Sequence, residues 1–114
     1  MKAVVCNSHG NESVLRIEER PSLDLTDGSV RVAVASAGLN RADLLQRKGL
    51  YPPPPGASEV LGLECAGTVA ELGPGVTDLE LGSRVMALVA GGAQAEEAMV
   101  DRGSLMVVPE QFSD

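Results

Sequence analysis

The chain has 114 residues, a formal net charge of −7, an isoelectric point near 4.6, a hydrophobic fraction of 44% and a mean hydropathy of +0.08. These values fit one globular domain rather than a disordered segment, and an acidic chain without a Lys/Arg-rich patch argues against a nucleic-acid partner. No apolar run reaches membrane-spanning length, the opening MKAVVCNSHG turns polar too early for a signal peptide, and Cys6 and Cys65 fit reduced, buried residues of a cytoplasmic chain better than a disulfide.

Taken in order, MKAVVC (1–6) is a short β-rich opening and VLRIEER (14–20) a modest strand that sets Leu15 and Ile17 on one face, ended by Pro21. Residues 22–28 (SLDLTDG) are turn-like. SVRVAVASAGL (29–39) carries the strongest strand signal, with Val30, Val32 and Val34 on one face. The period then changes. NRADLLQRKG (40–49) suits one to two helical turns, with Asn40 as N-cap and Gly49 as stop. YPPPPG (51–56) loses four backbone donors to proline and must run extended and stiff. ECAGTVAEL (64–72) reads as strand, 73–82 as a turn-rich excursion, SRVMALV (83–89) as strand, and GG (91–92) as a flexible turn. AQAEEAMV (93–100) is ambiguous between helix and strand, and LMVVP (105–109) is a last short strand. With aromatics at 2%, the core must be built from Val, Leu and Ala. Six to eight short strands with one short helix predict a mainly β fold, a small, partly open barrel.

Few residues offer chemistry of their own. His9, Cys6 and Cys65 make three nitrogen or sulfur ligands at most, without the paired spacing of a structural zinc site, so no metal is expected and His9 reads as part of a surface turn. Cys65 has no basic neighbour in sequence to activate it. No glycine-rich phosphate loop is present. Glu64 and Cys65 are adjacent on a strand, so they point to opposite faces. Glu64 reads as a buried or cleft-edge acid satisfied by hydrogen bonds, with a partner expected outside the chain, and Cys65 as a packing residue. The segment from Gly38 to Glu64 gathers a polar helix start, a rigid arm and the chain's one tyrosine. It is either one wall of a pocket or a corner where the chain crosses the barrel.

AGLNRADLLQRKGLYPPPPGASEVLGLECAGTVAELGPGV, together with the opening MKAVV and the late GSRVMAL, resembles the quinone oxidoreductase (zeta-crystallin-like) branch of the medium-chain dehydrogenase/reductase superfamily. The resemblance covers nearly the whole chain. It implies a GroES-like partly open β-barrel with one or two short helices, the catalytic domain (1–114), normally followed by a Rossmann domain that binds NADPH. No such domain lies within these residues, so the chain alone is expected to be inactive. The full-length enzyme would pass hydride from NADPH to a quinone or enone as a cytoplasmic homodimer, with no membrane or nucleic-acid partner.

Residue by residue, the resemblance implies a zinc-free site. Zinc alcohol dehydrogenases of the superfamily place a cysteine ligand where this chain has Asn40 and a histidine ligand where it has Leu63. AGGAQAEE replaces their cysteine-rich lobe, and Ala42 lacks their relay hydroxyl. Asn40 and Tyr51 are the expected catalytic residues, lining the cleft where nicotinamide and substrate meet. Asn40 would touch the nicotinamide ribose or an acceptor carbonyl, and Tyr51 would donate to or stack on a flat quinone. Asn40 and Asp43 are the expected cofactor-side residues, Asp43 chiefly as a brace for the loop. Leu45 stands where bacterial quinone reductases often carry a second tyrosine. The rival implications are an enoyl reductase acting on thioesters, or a non-catalytic GroES-like assembly module.

Overall fold

A computed structural model describes residues 1–113. The alternation Val30, Val32, Val34 becomes strand β3 (Ser29–Ala37), which runs through the centre of the molecule with Val30 and Val32 fully buried. Around it a five-stranded antiparallel sheet forms in the order β6-β3-β4-β5-β7, from β4 (Glu64–Leu72), β5 (Arg84–Leu88), β6 (Glu97–Asp101) and β7 (Leu105–Val107). This sheet curls into a half-barrel, the GroES-like shape expected. A separate two-stranded ribbon pairs β1 (Lys2–Cys6) with β2 (Leu15–Glu19). The single α-helix among the described residues, α1 (Arg41–Arg47), follows β3 directly. No helix of the described residues is long and apolar enough to cross a membrane.

The core inside the curl is made of small residues. Val30, Val32, Val69, Val85 and Val100 interleave with Ala87, Ala93, Ala98 and Cys65, and Leu105 closes one end. Leucine contributes less than composition suggests: Leu61 and Leu105 are its buried members, whereas Leu39, Leu50, Leu81 and Leu88 are exposed. Small side chains allow strands to approach closely, and the tightest approach is at Gly67. A Cβ there would overlap the Ala33 carbonyl and lie 2.9 Å from its carbon. β3 is irregular between Val34 and Ser36, directly opposite Gly67, so the glycine accommodates a bulge that bends the strand. Across the polar face Arg31 ties three segments together. Its guanidinium donates to Glu71 on β4 (2.8 Å), Glu97 on β6 (3.3 Å) and the Leu23 carbonyl (2.6 Å).

Three expectations change. The segment 93–100 resolves into an extended approach (Ala95 bridges Ala3) followed by β6. The last strand stops at Val107, short of Pro109. Leu15 and Ile17 do form a strand, but Ile17 is 74% exposed. β2 is the outer member of a two-stranded ribbon, so its apolar alternation has no second layer to meet.

The ribbon joins the rest through backbone bonds that close a circuit. Val4 N–H donates to the Gln94 carbonyl (2.9 Å), Gln94 N–H to Leu61 (2.8 Å), and Leu61 N–H back to Val4 (3.1 Å). Ala3, Val5 and Val60 pack beside this circuit as a small second core. This knot ties the loop before β4 to β1 and to the approach to β6.

Candidate functional site

The corner between β3 and β4 is organised by one buried charge. Asp43, in the first turn of α1, is 4% exposed. Its carboxylate accepts from the Asn40 backbone N–H (2.8 Å), the Gly62 N–H (3.2 Å) and, at the long limit of 3.4 Å, Gln94 Nε2. Asp43 N–H donates in return to the Asn40 carbonyl at 3.0 Å. A buried carboxylate costs several kcal/mol unless such donors surround it, and here they come from the helix start, the loop before β4 and the loop before β6. Asp43 is therefore a brace in this structure, holding the helix start to the loop before β4.

Asn40 is the N-cap of α1 with extended backbone (φ −126°, ψ 159°). Its side chain turns toward β4, where Nδ2 donates to Glu64 Oε2 at 3.1 Å. Of the two readings of Glu64, the cleft-edge one fits and the buried one does not, and the location of its partner is corrected. The acid is exposed at the start of β4, and its partner is Asn40 within the same chain. Cys65 points the other way and is buried in the core. Burial pushes its thiol above the ordinary value, and both cysteines are free.

Glu64 also stands at the rim of a cavity of about 290 Å³ that Gly38, Ala66, Met86, Leu88 and Met106 help to line. Tyr51 belongs to a different cavity, about 300 Å³, with Cys6, His9, Gln46, Pro52, Pro53 and Glu59. The proline arm and the C-terminal end of α1, rather than its capped start, thus make a pocket wall. Gln46 ties the two together, Nε2 donating to the Glu59 carbonyl at 3.2 Å. His9, exposed as expected, rests its ring against Gly49. Asn40 lines neither of these two cavities. A third cavity, about 640 Å³, opens among Leu23, Val60, Val89 and Met99 and holds neither Asn40 nor Tyr51.

Among the described residues no three His, Cys, Asp or Glu side chains stand together as a metal site. The groups near Asn40 are its own amide, the Glu64 carboxylate and the buried Asp43 carboxylate, which is already engaged by backbone N–H groups. Leu63 offers an alkyl group and Cys65 faces the core.

Two members of the corner escaped the sequence. Gln94 donates to both the Gly38 carbonyl (3.3 Å) and Asp43, and nothing in its surroundings in sequence signals that. The Asn40–Glu64 pair joins positions 24 apart. The only hint was Gly38, a small residue next to a polar helix start.

Comparison with known proteins places this corner in context. Residues 26–110 match the alcohol dehydrogenase GroES-like domain family. A polyketide synthase of Streptomyces halstedii, GfsB, is 42% identical over 89 residues, which are 78% of this chain and 2% of that protein. The quinone oxidoreductase-like protein 2 homolog of Nematostella vectensis is 39% identical over 114 residues, 98% of this chain and 31% of its own length. Among solved structures, the human synaptic vesicle membrane protein VAT-1 homolog-like protein superposes with a TM-score of 0.91 at 35% identity, covering 99% of this chain and 37% of that one. The Escherichia coli quinone oxidoreductase complexed with NADPH gives 0.89 at 30% identity, with 99% and 35% covered. The chain thus spans about a third or less of the length of these proteins.

Proposed function

The chain belongs to the alcohol dehydrogenase GroES-like domain family, and on that premise we propose that it is the catalytic domain of an NADPH-dependent, zinc-free quinone oxidoreductase. The observation that carries this reading is the likeness, over 99% of the chain, to a quinone oxidoreductase that holds NADPH. The corner supports it chemically. Its polar groups suit hydrogen bonding to a cofactor and an acceptor, and its donor set does not fit a zinc ion.

In this reading the nicotinamide supplies the hydride when bound, and its phosphates are held by a second domain. Asn40 meets the cofactor side and Tyr51 the acceptor side. Tyr51 lines one cavity, and Asn40 bonds to Glu64, which lines another. Asp43 keeps Asn40 in place without touching either. With no strong acid or base required, orientation and exclusion of water account for most of the rate. The full-length protein in this reading works in the cytoplasm as a homodimer. The 114 residues alone bind NADPH weakly and turn over negligibly.

A second reading has its own support. The 42% identity to a polyketide synthase favours reduction of an enoyl thioester. Assaying the full-length protein with NADPH against quinones and against enoyl thioesters separates the two. Quinone turnover with inert thioesters upholds the first reading, and the reverse upholds the second. Quinone reduction by residues 1–114 alone, at enzymatic rates, would contradict the need for a second domain. In the full-length protein Tyr51→Phe is expected to lower kcat/KM for quinones by roughly tenfold, the scale of one lost hydrogen bond. An unchanged value removes the Tyr51 hydroxyl from the site.

A further inference from the structure

The Glu64 side chain lies close over the bare Cα of Gly38. A Cβ on Gly38 would overlap the carboxylate, 2.6 Å from Cδ and 2.7 Å from Cγ. The backbone of Gly38 is not in the left-handed region, so its bare Cα serves close approach rather than an unusual fold of the chain. The backbone adds to the contact, with Gly38 N–H donating to the Glu64 carbonyl at 3.2 Å, and Gln94 holds the Gly38 carbonyl from the other side. The carboxylate is thus seated, and it faces Asn40.

An ionised carboxylate only accepts, whereas an amide has one accepting end and one donating end. Asn40 Nδ2 donates to Glu64 Oε2 at 3.1 Å. With the amide reversed, Oδ1 would face Oε2 at that distance with no proton between them. The carboxylate therefore selects one of the two amide orientations. One Nδ2 hydrogen is committed to Glu64, and Oδ1, the accepting end of the amide, is turned away from the carboxylate. The neighbouring negative charge also disfavours a ligand group that carries or develops negative charge, and favours one that donates a proton to the amide oxygen.

We propose that Glu64 is a positioning residue: seated over Gly38, it fixes the Asn40 amide so that Oδ1 is the acceptor for a hydroxyl or carboxamide N–H of the ligand. This rests on the reading that Asn40 meets a nicotinamide cofactor, and it narrows that reading. Asn40 takes a cofactor hydroxyl or carboxamide, and the carbonyl of the acceptor is left to other groups. Glu64 acts through Asn40 and touches neither reacting atom.

Two measurements test this separately. In the 114-residue chain, NMR of the Asn40 side-chain amide, identified by its loss in Asn40→Asp, reads the pairing without any cofactor. Glu64→Ala and Gly38→Ala should both shift this resonance pair, while Glu64→Gln, which keeps an accepting oxygen, should retain the contact from the Asn40 amide protons to the γ protons of residue 64. Asn40 resonances unmoved by Glu64→Ala would overturn the positioning role. In the full-length protein, Glu64→Ala should raise KM for NADPH roughly tenfold, with most of the loss recovered in Glu64→Gln and no further loss in the Asn40→Ala background. Additive losses from Glu64→Ala and Asn40→Ala would show that Glu64 acts on its own and overturn the proposal. If the amide resonances behave as expected but neither variant alters NADPH affinity, the pairing stands and the assignment of Asn40 to the cofactor fails.

Discussion

The curled sheet and the corner from Gly38 to Gly62 hold their shapes by different means. Inside the sheet, valine and alanine side chains pack against one another with almost no polar contact, and Val30 and Val85 are completely buried. The corner contributes little to that core. It is fixed by hydrogen bonds that converge on one carboxylate, Asp43, and by a backbone circuit through Val4, Leu61 and Gln94. Packing is non-directional and tolerates small shifts, whereas hydrogen bonds lose strength steeply as their angles change. A corner of this second kind can aim an amide or a hydroxyl. Changes in the sheet should therefore act on stability, and changes in the corner on the placement of Asn40.

Gly67→Ala is the strongest test of the first half of this contrast. The new methyl would collide with the Ala33 backbone, which cannot rotate away as a side chain would. We expect a loss of about 3 kcal/mol, the upper range for overpacking, seen as a lower urea midpoint with the slope unchanged. A normal midpoint would mean that the bulge opposite Gly67 absorbs the methyl and that the sheet is more pliable than its packing implies.

Asp43→Ala tests the second half. The Asn40 and Gly62 N–H groups would lose their acceptor in a buried site, a cost of about 2 kcal/mol. Amide hydrogen exchange should rise at Asn40 and Gly62 well before it rises at Val30 or Val85. Faster exchange spread evenly over both regions would show that the corner and the sheet unfold as one unit, and the contrast would fail.

How much of this was legible in the sequence follows the same division. The sheet was readable because packing leaves a local trace. The alternation of valines marks β3, and the boundaries of β4 follow from the apolar run between Leu63 and Gly73. The helix start was readable because an N-cap has its own residue preference. What did not show is whatever depends on contacts distant in sequence. The strand order places β6 beside β3, over sixty residues away, and no local pattern reports it. Asp43 looks in sequence like any acid in a first helical turn, where solvent exposure is usual, and only the three donors reveal that it is buried. The partner of Glu64 was looked for outside these residues because Asn40 is 24 positions away. Ile17 misled in the opposite direction: its alternation is that of a half-buried strand, but a ribbon of two strands has nothing to bury it against.

One cysteine lies in the sheet and the other in the ribbon that borders the corner. Cys65 lies in the sheet core, and its thiol is raised by burial alone. Cys6 ends β1 beside the Tyr51 cavity, and there burial raises the thiol while the Arg47 charge draws it back. Cys6 should alkylate first at neutral pH, with Cys65 protected until the sheet unfolds. Arg47→Gln should slow Cys6 by a few-fold, roughly the effect of a fraction of a pKa unit on the thiolate population. Equal rates for both thiols would mean that the sheet opens as readily as the ribbon.

The smallest effect belongs to a contact outside both regions. Asp78, in the excursion between β4 and β5, accepts from Arg102 Nε and Arg102 Nη2, each at 2.9 Å. The hydrogen bond from Arg102 holds the Asp78 carboxyl below the ordinary 3.8. Because the folded value is the lower one, the folded chain binds this proton less tightly than the unfolded chain. Any stabilisation from the pair is thus complete above the unfolded value and disappears as pH falls through the folded one. Both side chains are open to solvent, so screening leaves little of it. Asp78→Asn should leave the urea midpoint at neutral pH unchanged within error. The pair is better read by NMR titration of the Asp78 carboxyl, whose midpoint should climb back to the ordinary range in Arg102→Gln. A midpoint that ignores this substitution would assign the lowered value to the Asp78 backbone instead, and would separate this surface contact from the hydrogen-bonded order that defines the corner.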